Sequence, residues 1–247
     1  MARTDECAKM PIAVPATARS HFNDDMARAW ALHGVAVSSG ATNMPLATDI
    51  ARTAVAFGVG ALDAYLCDAF SDTLARCLKH CRRSGDAVPA GYARLALPVG
   101  PLFNDYAVRA NWGLRMASRA LMERDNLLQL SRLKDLFNPG LPVGHRLWND
   151  MVGDYVDLDR KRLTGIRRSD YSALTGQARS RGPAKASAAL LRRMGDIVQR
   201  RHDIAHNCDR PKNAKQPLSL SQARKMITDV EDFVTVLDVH LDAHRVY

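Results

Sequence analysis

Aromatic side chains are scarce in this chain: Phe, Tyr and Trp make up 6% of its 247 residues. They are also scattered, which excludes a platform that stacks the bases of a single-stranded nucleic acid. Runs that alternate Val, Ile, Thr and aromatic residues are nearly absent, so a sheet-rich fold is not expected. There is no Gly-rich phosphate loop, no Gly-x-Ser-x-Gly elbow and no Cys-x-x-Cys pair. The longest apolar stretch, residues 54–62, is too short to span a bilayer and holds two glycines. Asp5, Glu6 and Lys9 interrupt what would be the apolar core of a secretory signal. The five cysteines, Cys7, Cys67, Cys77, Cys81 and Cys208, form an odd set without a pairing pattern. They read as reduced thiols and point to a cytoplasmic protein with no membrane partner. Cys77 and Cys81, one helical turn apart, read as part of a small apolar stripe rather than a metal clamp.

Ala, Leu and Arg are abundant instead, and the fold expected is all-α. Residues 1–17, with Pro11 and Pro15, read as a flexible N-terminus; residues 18–247 read as one helical domain, with 84–182 as an insertion and basic loop region. A first helix is expected over 18–37, stopped by Ser38-Ser39-Gly40. A second is expected over 45–83, with Pro45 in its first turn. Leu62, Leu66, Phe70, Leu74 and Leu78 recur every four residues along it, and Ile50, Ala54, Phe57 and Ala61 extend the stripe. Gly58 and Gly60 weaken that helix by roughly 1 kcal/mol each against Ala, which predicts close approach of another helix there. Further helices are expected over 105–137, with a break at Gly113, and over 147–158. The Arg/Gly/Ser-rich segment up to Gly182 reads as a long basic loop that orders on binding. Pro183 can start the next helix, with Leu191, Met194, Val198 and Ala205 on one side. A last helix follows Ser219, whose spacing to Gln222 is that of a capping box, and runs to about residue 244.

The formal charge is +9, and it is concentrated. Residues 160–201 hold twelve Lys or Arg against Asp170 and Asp196, so the rest of the chain is close to neutral. Such a block fits a polyanionic partner. It also fits a solvated helix face followed by a basic loop.

At the end of this block stands Arg200-Arg201-His202-Asp203-Ile204-Ala205-His206-Asn207. A permanent cation precedes a titratable imidazole by five residues. The spacing alone is weak, since Arg28 and His33 share it and read as a surface Arg and a core or cap His. The later copy ends a basic helix and is followed by a Pro-broken loop and a long amphipathic helix. Two imidazoles at i and i+4, His202 and His206, also have the spacing of a helical zinc site, with Asp203 where a zinc protease carries Glu. No third ligand is evident and the surroundings are basic, so no metal or other cofactor is expected. His240 and His244 share the spacing and read as solvated residues near the chain end.

Arg201-His202-Asp203-Ile204-Ala205-His206 resembles the motif of the HEPN superfamily of α-helical ribonucleases, in which Arg is followed by Asn, Asp or His and, a few residues later, by His. The likeness is closest to the branch associated with RNA ligases (RiboL-PSP-HEPN-like). Val59-Gly60-Ala61-Leu62-Asp63-Ala64-Tyr65 is similar to that family's long helix, where an Ala-rich turn carries an Asp before an aromatic. The likeness covers residues 48–83 and 183–244. It implies an antiparallel helical bundle that forms a homodimer and cleaves RNA without metal. The ribose 2′-hydroxyl attacks the adjacent phosphate, leaving a 2′,3′-cyclic phosphate and a 5′-hydroxyl. It also implies a toxin or antiviral effector with an antitoxin or regulatory protein as a further partner. Some members carry a Tyr two residues after the His, where nucleotidylation occurs; this chain has Cys208 there, so that regulation is not implied.

The residue chemistry suits the reaction. An imidazole titrates near neutrality and exchanges protons at working pH. A guanidinium stays charged and forks two hydrogen bonds onto phosphate oxygens. Arg201 and His206 are therefore the catalytic candidates, with His202 and Asp63 in support. Arg200, Arg192, Arg193 and Asn207 are the candidate RNA contacts. Residues five apart on a straight helix point about 140° from one another, so convergence of Arg201 and His206 on one phosphate calls for a helix end near Asn207 or for a second subunit. The alternative reading is a non-catalytic HEPN module that binds RNA or a protein.

Overall fold

Caps placed by the sequence delimit the helices. The computed structural model describes residues 17–100, 110–122, 127–210 and 214–247, among which it contains ten α-helices, two short 3-10 turns and no strand. Of the segment 1–17 expected to be flexible, residues 1–16 lie outside the described residues. Thr17 caps helix α1 (Ala18–Ser39), its hydroxyl accepting from the Ser20 amide at 3.1 Å. Asn43 caps α2 (Met44–Ser84) through the Leu46 amide at 3.1 Å, with Pro45 in the first turn. Gly85 ends α2 in the left-handed conformation that glycine adopts without steric cost. Short helices α3 (Ala90–Ala93), α4 (Ala110–Met122) and α5 (Leu133–Phe137) follow, then α6 (Leu147–Asp157), α7 (Lys161–Thr164) and α8 (Arg168–Ser172). The long basic helix α9 (Gly176–Asn207) precedes α10 (Leu220–His244), which starts with the complete Ser219/Gln222 capping box.

α2 is the axis of the bundle and packs against α1, α4, α9 and α10, while α6 and α7 close onto α9. Leu62, Leu66, Phe70 and Leu74 are buried as the stripe requires, and Cys77 and Cys81 continue it. Ala223, Ile227, Val230, Val234, Leu237 and Leu241 of α10 are buried too. Phe57 departs from the pattern: it is exposed, with the Arg28 guanidinium 5.1 Å from its ring centre. An 18-residue window within α2 has a mean hydropathy of 1.3, enough by length and composition to cross a membrane, yet 56% of it is buried inside the protein, as in a core helix.

Three expectations are corrected. The helix expected over 105–137 is interrupted at residues 127–132 by a turn and a 3-10 segment, and Gly113 sits inside α4 without breaking it; residues 101–109 and 123–126 lie outside the described residues. The basic segment before Gly182 is not a loop: α7, α8 and the first turns of α9 occupy it, with Pro183 inside α9. Nor is 84–182 a peripheral insertion. Tyr92, Phe137, Leu147, Met151, Tyr155 and Leu163 belong to the same core as α2 and α10, and the Tyr155 hydroxyl donates to the Phe233 carbonyl at 2.8 Å. The periodicity of α3, α5, α7 and α8 is too short to be seen in the sequence, since each supplies only one or two turns.

At the far end of α10, His240 is buried rather than solvated. Its Nε2 lies 2.8 Å from Nε2 of His145, in the link before α6, and one shared proton must sit between them. Asp150 faces the other nitrogen of His145 at 3.3 Å, and Asp154 faces that of His240 at 3.5 Å. The exposed His244 donates through Nδ1 to the His240 carbonyl, 3.0 Å away. Burial, then the neighbouring His244 and His145, push the His240 pKa below the ordinary value of 6.5. The fold therefore favours neutral His240. That contribution is present above the unfolded pKa and is lost as pH falls from about 6.5 through the lower folded value. The melting temperature is expected to fall between pH 7.5 and pH 5.5, and His240→Gln to flatten that dependence; an unchanged pH profile in the variant would refute the assignment.

The two glycines of α2 do not mark a close helix contact. A Cβ on Gly58 would meet Ile227 and Met26 only at 3.9 and 4.0 Å, and one on Gly60 would meet nothing within 4 Å. Gly60→Ala is thus expected to raise the unfolding free energy by about 0.5–1 kcal/mol, read as a higher urea midpoint at unchanged slope.

Candidate functional site

The arginines and histidines of α9 are sorted by the direction they face. Arg200 points inward: 9% exposed, it donates through Nη2 to Asp209 at 2.8 Å and to the Gln216 and Pro217 carbonyls at 3.2 Å, and through Nη1 to the Gln216 side chain. Arg52 of α2 meets the same Asp209 oxygen at 2.5 Å through Nε and the Gln216 carbonyl at 2.7 Å. Asp209 is fully buried, and its carbonyl accepts from the Gln216 amide at 2.8 Å. One carboxylate thus joins α2, α9 and the segment leading to α10. Arg200 is a structural ion-pair residue, and the surface RNA contact expected of it is corrected. Sequence reasoning missed Arg52 and Asp209; the available signal was a lone cation amid Ala and Val on the apolar side of α2.

The chain leaves α9 through two left-handed residues, Cys208 (φ 47°) and Asp209 (φ 61°), whose amides return to the Asp203 carbonyl. This turn swings the Asp209 side chain back under the helix. Asp203 is buried and accepts from Gln199 at 3.0 Å.

Arg201, next in sequence, lies on another face. It is half-buried and close enough to Asp63 of α2 to act on its carboxyl electrostatically, though the two make no direct ion pair among the described residues. Burial raises the Asp63 pKa and the Arg201 charge opposes that rise without cancelling it. Two widely separated segments, 59–65 and 200–207, are therefore brought together as the sequence pattern anticipates.

His202 and His206 are exposed, with ring centres 4.5 Å apart, and Asn207, also exposed, is the last residue of α9. Ala205, expected inward, is exposed beside them. Among the described residues no three His, Cys, Asp or Glu side chains are grouped as they stand to hold a metal ion. A five-residue offset on a helix sets the exposed His206 about 140° around α9 from the half-buried Arg201. The earlier Arg28 and His33 play plain structural parts: Arg28 pairs with Asp25 at 3.5 Å, and His33 is buried with Nε2 at the Leu220 carbonyl, 3.0 Å away.

Further back on α9, Arg192 is exposed and borders a groove of about 560 Å³ with Arg181 and Lys185. Arg193 is tied: its Nε and Nη2 both donate to Asp229 of α10, at 2.9 and 2.8 Å. That leaves Arg193 at most one free edge for a ligand. No family model, curated protein or solved structure matches this chain.

The Asp209 junction carries a stability prediction. Asp209→Ala leaves the buried Arg200 without its counter-charge and Arg52 with Asp49 alone, 3.1 Å from its Nη1, a loss expected to cost about 3–5 kcal/mol. Urea unfolding of that variant checks it; a change under 1 kcal/mol would show that the junction is dispensable.

Proposed function

We propose that this protein is a metal-independent endoribonuclease of the HEPN type, acting as a homodimer. The observation that carries the reading is the pairing, at one end of α9, of two exposed imidazoles with a half-buried Arg201 set against Asp63. In this reading His206 removes the proton from the ribose 2′-hydroxyl. The 2′-oxygen forms a bond to phosphorus, the bond from phosphorus to the 5′-oxygen breaks, and a protonated imidazole supplies that oxygen with its proton. His202, beside His206, is placed to hold it. Arg201 stabilises the added negative charge on the phosphate oxygens, and Asp63 orients the guanidinium through its field. The products are a 2′,3′-cyclic phosphate and a 5′-hydroxyl. Because Arg201 and His206 diverge on one helix, each site takes its arginine from one copy and its histidines from the other. The resemblance further suggests a toxin or antiviral effector held in check by a protein partner. That same divergence also favours a second reading, a binding module without turnover.

RNA cleavage in EDTA tests the proposal. Arg201→Ala and His206→Ala, each folded as a dimer, are expected to lose about 100-fold to 1000-fold in rate. Mixing the two variants separates shared from self-contained sites. A shared site regenerates one intact Arg/His pair in each mixed dimer and about a quarter of wild-type activity in a statistical mixture. Abolition by chelator, or full activity in either variant alone, would overturn the reading; binding without cleavage would favour the module.

A further inference from the structure

We propose that the groove between α7, α9 and the start of α10 holds the phosphodiester backbone of RNA on its way to the Arg201/His206 end of α9; this rests on the ribonuclease reading. The groove has a volume of about 680 Å³ and is lined by Arg160, Lys161, Arg162, Arg167, Arg193 and Lys225, with Asp159 as its acidic lining residue.

The cations fall into two groups. Three are anchored from below. Arg162 and Arg193 grip opposite oxygens of Asp229, a carboxylate with no exposed surface, and Arg160 is held by Asp232, through Nη2 at 3.3 Å and through Nε. These side chains are fixed before any ligand arrives, so little rotamer freedom remains to be lost on binding. The other three, Lys161, Arg167 and Lys225, are exposed and have no ion-pair partner among the described residues. Counting the buried posts, six cations face three carboxylates, an excess that an incoming polyanion relieves. The amino end of α10 borders the same space through Gln222 and adds its dipole.

The lining also says which polyanion. It contains no aromatic ring, so bases are not stacked, and the recognition is of backbone charge. Met226 is the only apolar residue among those lining it, too little for the apolar centre of a protein interface. Along α9 Arg193 precedes Arg201 by eight residues and His206 by thirteen, about 12 and 20 Å along a helix axis, and around the axis it lies about 80° from Arg201, so the groove leads toward the arginine of the proposed site.

The test is equilibrium binding of a fluorescent single-stranded RNA 20-mer across a salt series, measured for wild type and for Lys161→Glu/Arg167→Glu/Lys225→Glu. These side chains are exposed, and circular dichroism with a melting curve verifies the fold. The triple variant is expected to bind at least tenfold more weakly, with the slope of log K against log salt reduced by about 2, as for three lost contacts to a single strand. Lys79→Glu/Arg83→Glu, at the other end of α2, is the control and is expected to retain wild-type affinity. An unchanged slope in the triple variant, or an equal loss in the control, would overturn the proposal. So would undiminished RNA binding together with lost binding of poly-glutamate, which would make the groove an acidic-protein site. Binding and cleavage separate the two readings. RNA binding with the expected slope but without turnover leaves the groove standing and removes the ribonuclease. Cleavage by the triple variant at unchanged KM does the reverse.

Discussion

One buried carboxylate governs the arrangement of the candidate site. Asp209 receives Arg52 from α2 and Arg200 from α9, and Gln216 closes the ring from the chain that leads into α10. Two guanidinium groups in a water-excluded setting need opposite charge beside them, which Asp209 supplies to both and Asp49 supplies again to Arg52 at 3.1 Å. Register between α2 and α9 follows from that requirement. With Arg52 held at Asp209, the antiparallel run of the two helices brings Asp63 beside Arg201, eleven residues along α2. The exposed His202 and His206 then stand on the opposite side of α9 from the buried Arg200 and its partners.

The same logic sorts the basic block. Its net charge reads as a uniform property in the sequence, but the structure divides it. Arg200 is consumed internally, Arg160, Arg162 and Arg193 are held on Asp232 and Asp229, and Lys161, Arg167 and Lys225 remain free. The acids that do the holding come from α10 and from the turn after α9, outside the stretch whose charge is concentrated. Nothing in the local composition distinguishes an arginine with a distant buried partner from one facing water.

That difference explains what was legible in the chain. α2 and α10 were, because each carries local signals: Pro45 opens α2, Ser84 and Gly85 close it, and Ser219 with Gln222 starts α10, whereas α9 begins without a side-chain cap and its first turns read as loop. The helical recurrence of Ala223, Ile227, Val230, Val234, Leu237 and Leu241 in α10 matches a buried face. The middle was not legible, since α3, α5, α7 and α8 are too short to show a period and are placed by tertiary contacts such as Phe137 of α5 on Phe70 of α2. Gly58 and Gly60 misled for a related reason, since composition does not show whether a neighbour is near. Within the motif, the neighbourhood of Arg201 and Asp63 was legible, whereas the inward turn of Arg200 was not. It depends on Asp209 adopting a left-handed backbone, which no residue before it signals.

α9 is one continuous helix of 32 residues, and it carries both the free-cation groove at Arg193 and the histidine pair at its end. A helix that is clamped at Asp229 and again at Asp209 behaves as a ruler. The interval between the two places is therefore fixed by the helix itself, about 20 Å from Arg193 to His206 along its axis, and does not adapt to what lies across it.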